Sequence, residues 1–204
     1  MSFYSRVVFP RLCDWALDWP WVTERRKNVL AAAQGEILEI GIGTGLNLAN
    51  YPPHVRRVTA VEPNSAMSRR ATARSVARGI EVNVHNLRGE SLPFDDRTFD
   101  CVVSTFTLCS IDGVEQALRE VYRVLKPGGN FLFLEHGLSP EPTVQRWQRR
   151  LNPLQQWMGD NCRLDRDIEG LVRSQPFASV DLQGSYLERG PRTHGYVTGG
   201  AARK

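Results

Sequence analysis

Residues Glu36-Ile37-Leu38-Glu39-Ile40-Gly41-Ile42-Gly43-Thr44-Gly45 decide the fold. The Ile- and Leu-rich first half predicts a strand, and the glycines after it predict a tight loop that opens a helix at Leu46. Glycines allow such a sharp turn and let a ligand approach the backbone, because no Cβ stands in the way. The stretch therefore predicts the start of a βαβ unit with a ligand-binding loop.

The residues beyond this loop alternate short apolar runs with helical patterns, as in a parallel sheet with helices on both faces. Two candidate strands near the C-terminus are close enough in sequence to pair antiparallel. The prediction is an α/β fold: a Rossmann-like, doubly wound, mostly parallel seven-stranded sheet with a C-terminal antiparallel hairpin and a helical cap. We expect strands at 36–40, 58–62, 81–86, 99–105, 131–135, 179–182 and 195–198, with helices at 65–78, 114–125 and 143–158.

A chain of 204 residues fits one domain with one core. We divide this domain into four parts by their patterns. They are an aromatic-rich helical cap at 1–35, a cofactor-binding core at 36–138, a cover segment at 139–175 and the C-terminal hairpin at 176–204.

Composition narrows the class of protein. No apolar run is long enough to span a bilayer, and the first residues lack the pattern of a signal peptide. We therefore expect a cytoplasmic protein, with a peripheral position at the inner face of a membrane left open. The net charge of +4 is ordinary and no extended basic tract occurs, so we expect no nucleic-acid partner. The four scattered cysteines, with no CxxC pair and no His at ligand spacing, predict free thiols and no metal site.

Two features separate this loop from that of a dinucleotide dehydrogenase. The GxGxxG fingerprint would place its third glycine at position 46, which is Leu46, whereas here the third glycine is Gly45. Glu39 would repel a pyrophosphate but can pair with the ammonium group of S-adenosylmethionine. Glu62, at the end of the second predicted strand, can accept hydrogen bonds from both ribose hydroxyls. These residues favour the methyl donor as cofactor.

Five segments resemble, in order and spacing, the class I S-adenosylmethionine-dependent methyltransferases of the ubiquinone/menaquinone type. The resemblance implies that Glu39 contacts the amino-acid part of the cofactor, Glu62 the ribose and Gly89-Glu90 the adenine edge. One departure is Arg88, where related sequences often carry Asp. The segments are 39–45, with Gly41, Gly43 and Gly45; 61–64, with Pro63; 89–94; 99–103; and 125–129.

A narrower resemblance is to the methyltransferase-like family that includes the alkyl thiol methyltransferases of animals. Those proteins carry an N-terminal hydrophobic membrane anchor, and no such stretch occurs in this sequence. The segments that carry the resemblance are 107–110, Glu135-His136, 151–154 and 159–164.

Methyl transfer from a sulfonium needs alignment of the acceptor and, for a protonated acceptor, removal of a proton. In an open parallel sheet the reaction site lies beyond the carboxyl ends of the strands. Thr105 is expected beside the cofactor there and Phe106 beside the acceptor. His136 with Glu135 is the preferred catalytic base, because imidazole titrates close to neutral pH. The alternative is that either residue only orders the loop.

The acceptor is predicted from the segments that flank this site. Asp160 and Trp147 of the cover segment are expected to contact it, within an aromatic lid that contains all five tryptophans. Such a lid, beside Arg146, Arg149 and Arg150, suits a small hydrophobic acceptor. A thiol comes first, then a phospholipid (N-methylation) or a quinone-type molecule (C- or O-methylation). An RNA-modifying enzyme and a non-catalytic cofactor-binding protein are the remote alternatives.

Overall fold

The computed structural model describes residues 3–204, so the first two residues of the predicted cap lie outside the described residues. One sheet of seven strands runs through the molecule in the order β3-β2-β1-β4-β5-β7-β6. The strands are β1 (Ile37–Ile40), β2 (Arg57–Val61), β3 (Glu81–His85), β4 (Phe99–Thr105), β5 (Leu125–His136), β6 (Ser179–Tyr186) and β7 (Tyr196–Arg203).

The helices cover both faces of this sheet. A π-helical turn (Tyr4–Val8) leads directly into the first helix, and a 3-10 turn (Leu46–Ala49) follows the glycine loop. Among residues 3–204, no helix combines the length and the apolar composition needed to cross a bilayer. The helices are α1 (Phe9–Leu17), α2 (Pro20–Leu30), α3 (Ser65–Arg78), α4 (Val114–Val124), α5 (Pro142–Met158), α6 (Ile168–Arg173) and α7 (Arg192–Gly195).

The strand order creates a crevice. The chain adds β2 and β3 on one side of β1 and then returns to place β4 on the other side, with all of these pairs parallel. The strand order therefore reverses between β1 and β4, and ligands bind open α/β sheets at that point, outside the carboxyl ends of the strands. The loops after Ile40 and Thr105 meet there.

The central strands are buried on both faces, as their nearly continuous apolar sequences predict. One apolar cluster includes Leu38, Val102 and Phe133 under α4 and α6, and the other includes Ile37, Val103 and Leu132 on the opposite face. Two such layers hold the carboxyl ends of β1 and β4 in fixed positions at the crevice.

The predicted fold class is confirmed, including the antiparallel pairing of β6 with β7. Element ends differ from the prediction at β5, which begins at Leu125 and not at residue 131. They also differ at β6 and β7, which extend to Tyr186 and Arg203 and not to residues 182 and 198. Residues 127–129 were expected to form a tight turn. They form a bulge within β5 instead, since the register with β4 passes from Leu125 opposite Phe99 to Asn130 opposite Cys101, and Gly128 has φ +79°. Gly128 and Gly129 exchange backbone hydrogen bonds with Lys204, at 2.8 and 3.0 Å. A pairing with the far end of the chain cannot be read from the local Pro-Gly-Gly pattern.

Candidate active site

A cavity of about 300 Å³ opens at the carboxyl ends of β1, β2 and β4. Its wall brings together residues that are far apart in the sequence. Most of the predicted cofactor and acceptor residues belong to it: Gly41, Gly43, Glu62, Pro63, Gly89, Glu90, Thr105, Phe106 and Asp160.

The three loop glycines all have positive φ, but they serve different purposes. A Cβ on Gly41 would come within 2.3 Å of the Thr107 side chain, and one on Gly45 within 2.9 Å of the Ala71 Cα. Those two glycines therefore allow close packing within the protein. A Cβ on Gly43 would meet nothing nearer than 3.9 Å, so the backbone there faces open space. Of the three, Gly43 has the surroundings expected for direct approach of a ligand.

Glu62 follows β2 and is buried at the cavity wall. Its Oε2 accepts from the backbone N–H of Gly43 at 2.9 Å, and its Oε1 from that of Asn64 at 2.8 Å. Burial raises the pKa of Glu62 to about 7, and these two hydrogen bonds act in the opposite direction. The carboxylate is thus fixed in orientation, with acceptor capacity left on both oxygens for hydroxyl donors.

Glu39 is buried within β1. It is not one of the residues that line the cavity in the part of the chain that the structure describes. Its carboxylate accepts from Tyr51 Oη at 2.7 Å and from Asn47 Nδ2 at 2.8 Å. Burial raises the pKa of Glu39 to about 7, against the effect of both hydrogen bonds. The structure differs here from the predicted direct contact with an ammonium group: Glu39 reaches the cavity through Asn47, which does line it.

Arg26 is a cavity residue that the sequence analysis did not single out. It is 3% exposed. Its Nη1 donates to Asn47 Oδ1 at 2.8 Å and to Thr105 Oγ1 at 2.9 Å. Burial lowers the pKa of Arg26 to about 10, and Glu39 opposes that shift. The signal was present in the sequence, because Val22, Arg26 and Leu30 share one helix face at spacings of four.

Helix α1 closes one side of the cavity with Phe9, Cys13 and Leu17. Asp14 on this helix accepts from Thr44 Oγ1 at 2.5 Å, from Arg70 at 2.7 Å and from Arg74 at 3.0 Å. One carboxylate thus ties α1 to both the glycine loop and α3.

The loop after β4 is held by Glu135, which is fully buried. Its carboxylate accepts from Ser104 Oγ at 2.7 Å, from the Thr107 backbone N–H at 2.9 Å and from that of Cys109 at 3.4 Å. Burial raises the pKa of Glu135, and these hydrogen bonds act against it. Such contacts are those of a group that orders the loop, which was the alternative to the predicted base. Phe106 in this loop has φ +52° and packs over the guanidinium of Arg26, 5.1 Å from the ring centre.

His136, at the end of β5, lies behind the cavity wall in the described chain. Its ring packs edge to face against Phe106, with centroids 4.8 Å apart. Its Nδ1 is 3.7 Å from Cys162 Sγ, and that sulfur is 3.5 Å from Cys109 Sγ. Hydrogen bonding with Cys109 holds the pKa of Cys162 well below its usual value, against burial and with the help of His136. All four cysteines are free thiols, as predicted. The proximity of His136 to this pair was not predicted, because the sequence analysis considered only spacing along the chain.

The predicted tryptophan lid differs most from the structure. Within residues 3–204, no tryptophan belongs to the cavity wall, so the predicted contact of Trp147 with the acceptor is not seen. Trp147 is 55% exposed and stacks with Arg150, while Trp15 and Trp157 are 69% and 73% exposed. The buried face of α5 is formed by Val144, Gln148 and Asn152.

Comparison with known proteins agrees with this geometry. A family described as "Methyltransferase domain" matches residues 38–133. The thiol S-methyltransferase TMT1B of Rattus norvegicus is 36% identical over 152 residues, 72% of this chain and 62% of that protein. The ubiquinone/menaquinone biosynthesis C-methyltransferase UbiE of Klebsiella pneumoniae is 38% identical over 168 residues, 71% of this chain and 67% of that protein.

The fold is also found among solved structures. A S-adenosylmethionine-dependent methyltransferase from Thermotoga maritima superimposes with a TM-score of 0.71 at 22% identity, covering 98% of each chain. This chain spans about 62% of the length of the rat thiol S-methyltransferase that it matches. The matched family, the relatives and the crevice with its glycine loop agree: the chain belongs to the class I S-adenosylmethionine-dependent methyltransferases.

Proposed function

We propose that this protein transfers the methyl group of S-adenosylmethionine to the sulfur of a small hydrophobic thiol. The observation that carries the proposal is the 36% identity with a thiol S-methyltransferase over 152 residues. Apolar side chains in the cavity wall, among them Phe9, Leu17, Phe106 and Ile111, suit an acceptor of that kind.

The residues of the cavity fit the cofactor. Gly43 leaves room beside the loop backbone, and Glu62 presents a fixed acceptor for the ribose hydroxyls. Arg26 supplies a buried positive charge for the carboxylate of the amino-acid part, and its Nε has no hydrogen-bond partner among the described residues. When bound, S-adenosylmethionine supplies a methyl group on a sulfonium, which is an excellent leaving group. The protein then has to orient the acceptor sulfur in line with that methyl group.

Removal of the thiol proton needs little help from the protein's side chains. A free thiol has a pKa of about 8.5, so a fraction of it is already ionised at neutral pH. We propose that His136 lies close to the acceptor, because its ring packs against Phe106 of the cavity wall. Glu135 holds the loop that carries Phe106 and Thr107.

The test is turnover of S-adenosylmethionine with a panel of acceptors that contains alkyl and aryl thiols, a quinol, a phospholipid and RNA. We expect S-adenosylhomocysteine formation with thiols. Quinol C-methylation is the second candidate, favoured by the 38% identity with the C-methyltransferase of Klebsiella pneumoniae. Turnover confined to the quinol, the lipid or RNA would contradict the thiol proposal.

We also propose a peripheral contact with anionic membranes, from which a hydrophobic acceptor could enter. Trp157, Leu154 and Met158 at the end of α5 are exposed, and Tyr4 stacks on Trp157 with ring centres 6.1 Å apart. This end of α5 leads directly to Asp160 in the cavity wall. The exposed Arg146, Arg149 and Arg150 on the same helix would attract anionic headgroups.

Sedimentation with anionic liposomes tests this contact. Binding should weaken as salt is added, because the attraction of the arginines is screened. Trp157→Gln should reduce binding, whereas Val76→Gln, which changes an equally exposed apolar residue on α3, should not. Equal binding by both variants, or binding unchanged by salt, would contradict the proposal.

A further inference from the structure

Three side chains with soft donor atoms meet behind the cavity wall. Cys109 comes from the loop after β4, His136 from the end of β5, and Cys162 from the segment after α5. Their sulfur and nitrogen atoms all lie within 4.8 Å of one another. The backbone holds the two cysteine segments together, since the N–H of Arg163 donates to the carbonyl of Cys109 at 2.9 Å.

We propose that Cys109, His136 and Cys162 bind one zinc ion. A tetrahedral zinc with Zn–S bonds of about 2.3 Å and a Zn–N bond of about 2.0–2.1 Å places its two sulfurs about 3.8 Å apart, and sulfur and nitrogen about 3.6 Å apart. The corresponding separations are 3.5 Å between the sulfurs and 3.7 Å from Cys162 Sγ to His136 Nδ1. The ligand atoms of Cys109 and His136 also lie within 4.8 Å of each other, so rotation of these side chains has to shorten that separation by at most about 1.2 Å to close the site.

Charge and burial also suit a divalent soft cation. Both thiols are buried and His136 is half-buried. As each Zn–S bond forms, the thiol releases its proton to solvent, so two thiolates and a neutral imidazole balance the charge of Zn²⁺. A neutral complex avoids the cost of a buried uncompensated charge. Two sulfurs and one imidazole are ligands that zinc prefers, and they leave its fourth position for water or another small ligand.

The ion would link three segments that form the cavity. Ser110 directly follows Cys109, Asn161 directly precedes Cys162, and both line the cavity. Phe106 packs against the histidine ligand. Zinc binding should therefore stabilise the loop after β4 and the segment after α5, because binding free energy adds to folding free energy. This readout does not depend on methyl transfer, so it is independent of the proposed function.

The test is zinc binding by the full-length protein, kept reduced so that no disulfide forms between the two cysteines. Competition with a chromophoric chelator gives the stoichiometry and affinity, and cobalt substitution gives a thiolate-to-cobalt charge-transfer absorption. We expect one zinc per chain, a cobalt spectrum of two thiolate ligands and a higher melting temperature with zinc. Reduced wild-type protein that binds no zinc would overturn the proposal.

Variants locate the site. Cys109→Ser and Cys162→Ser should each weaken zinc binding by at least about 100-fold, and His136→Gln by at least about 10-fold, since even changes to outer-shell partners cost about 10–100-fold. Cys101→Ser is the matched control, because Cys101 is also buried but lies within β4. This variant should bind zinc with the same affinity as the wild type. Circular dichroism checks that each variant is folded. Zinc affinity that is the same in folded Cys162→Ser and Cys101→Ser would also overturn the proposal.

Discussion

At the scale of single residues, Glu62 links cofactor binding to pH. Ribose hydroxyls donate to its ionised form, whereas its pKa of about 7 means that much of the free protein carries a proton there near pH 6. Binding must then release that proton, so affinity should rise with pH. We expect the dissociation constant of S-adenosylhomocysteine to fall about tenfold between about pH 6 and about pH 8. Calorimetry at several pH values measures it.

The control is Glu62→Gln, which should bind more weakly and lose most of this pH dependence. The same shift affects stability with a defined sign. Since the folded pKa is raised, protonation of Glu62 stabilises the cofactor-free protein at low pH, and that stabilisation is lost as pH rises through about 7. Thermal unfolding of wild type and Glu62→Gln should therefore diverge across this range. Parallel curves, or an affinity independent of pH, would contradict the role of Glu62.

Arg26 joins the cofactor site to the core. Removing its charge takes away the hydrogen bonds that Arg26 donates to Asn47 and Thr105 and leaves Glu39 without its nearby cation. We expect Arg26→Gln to lower the free energy of unfolding by about 3 kcal/mol and to weaken cofactor binding, since breaking a buried charged network is costly. Lys27→Gln changes an exposed neighbour and should do neither. Urea unfolding and calorimetry test both effects. If folded Arg26→Gln binds the cofactor with the wild-type dissociation constant, Arg26 is not part of the cofactor site.

At the scale of elements, Asp14 holds helix α1 against the cavity. Asp14→Asn loses the charge that receives hydrogen bonds from Arg70, Arg74 and Thr44. Hydrogen bonds to charged groups contribute about 1.5–3 kcal/mol each. We expect α1 to pack less firmly and the dissociation constant of S-adenosylhomocysteine to rise about tenfold, mainly through faster dissociation in stopped-flow experiments. Asp18→Asn, at an exposed position after α1, is the control. Equal dissociation rates for the two variants would show that α1 does not retain the cofactor.

The loop after β4 depends in the same way on Glu135. Glutamine at this position keeps the shape but turns an amide N–H₂ toward the backbone N–H groups of Thr107 and Cys109 or toward Ser104. We expect Glu135→Gln to lower the free energy of unfolding by about 2 kcal/mol. Turnover should fall because the loop moves, with no new break in the pH–rate profile. Glu141→Gln, a half-buried carboxylate before α5, should leave stability near wild type. A stable Glu135→Gln protein with a shifted pH profile would instead identify Glu135 as a base.

At the scale of the whole molecule, the sequence predicts what local patterns encode. Short-range spacing predicts the strand and glycine loop, the buried central strands, and the position of Glu62 directly after β2. Contacts between distant segments do not follow from spacing. The meeting of Cys109, His136 and Cys162 depends on how the segment after α5 returns to the sheet. The outward position of Trp147 depends on which face of α5 the rest of the protein covers.

We propose that this cavity passes a methyl group from S-adenosylmethionine to a thiol. The most direct measurement uses donor with a deuterium-labelled methyl group and a simple aryl thiol, with mass spectrometry of both products. We expect labelled methyl thioether and S-adenosylhomocysteine in equal amounts, with far less of both from Glu62→Gln. Wild-type protein that binds S-adenosylhomocysteine but places the label only in a quinol, a phospholipid headgroup or a large polar acceptor would contradict it.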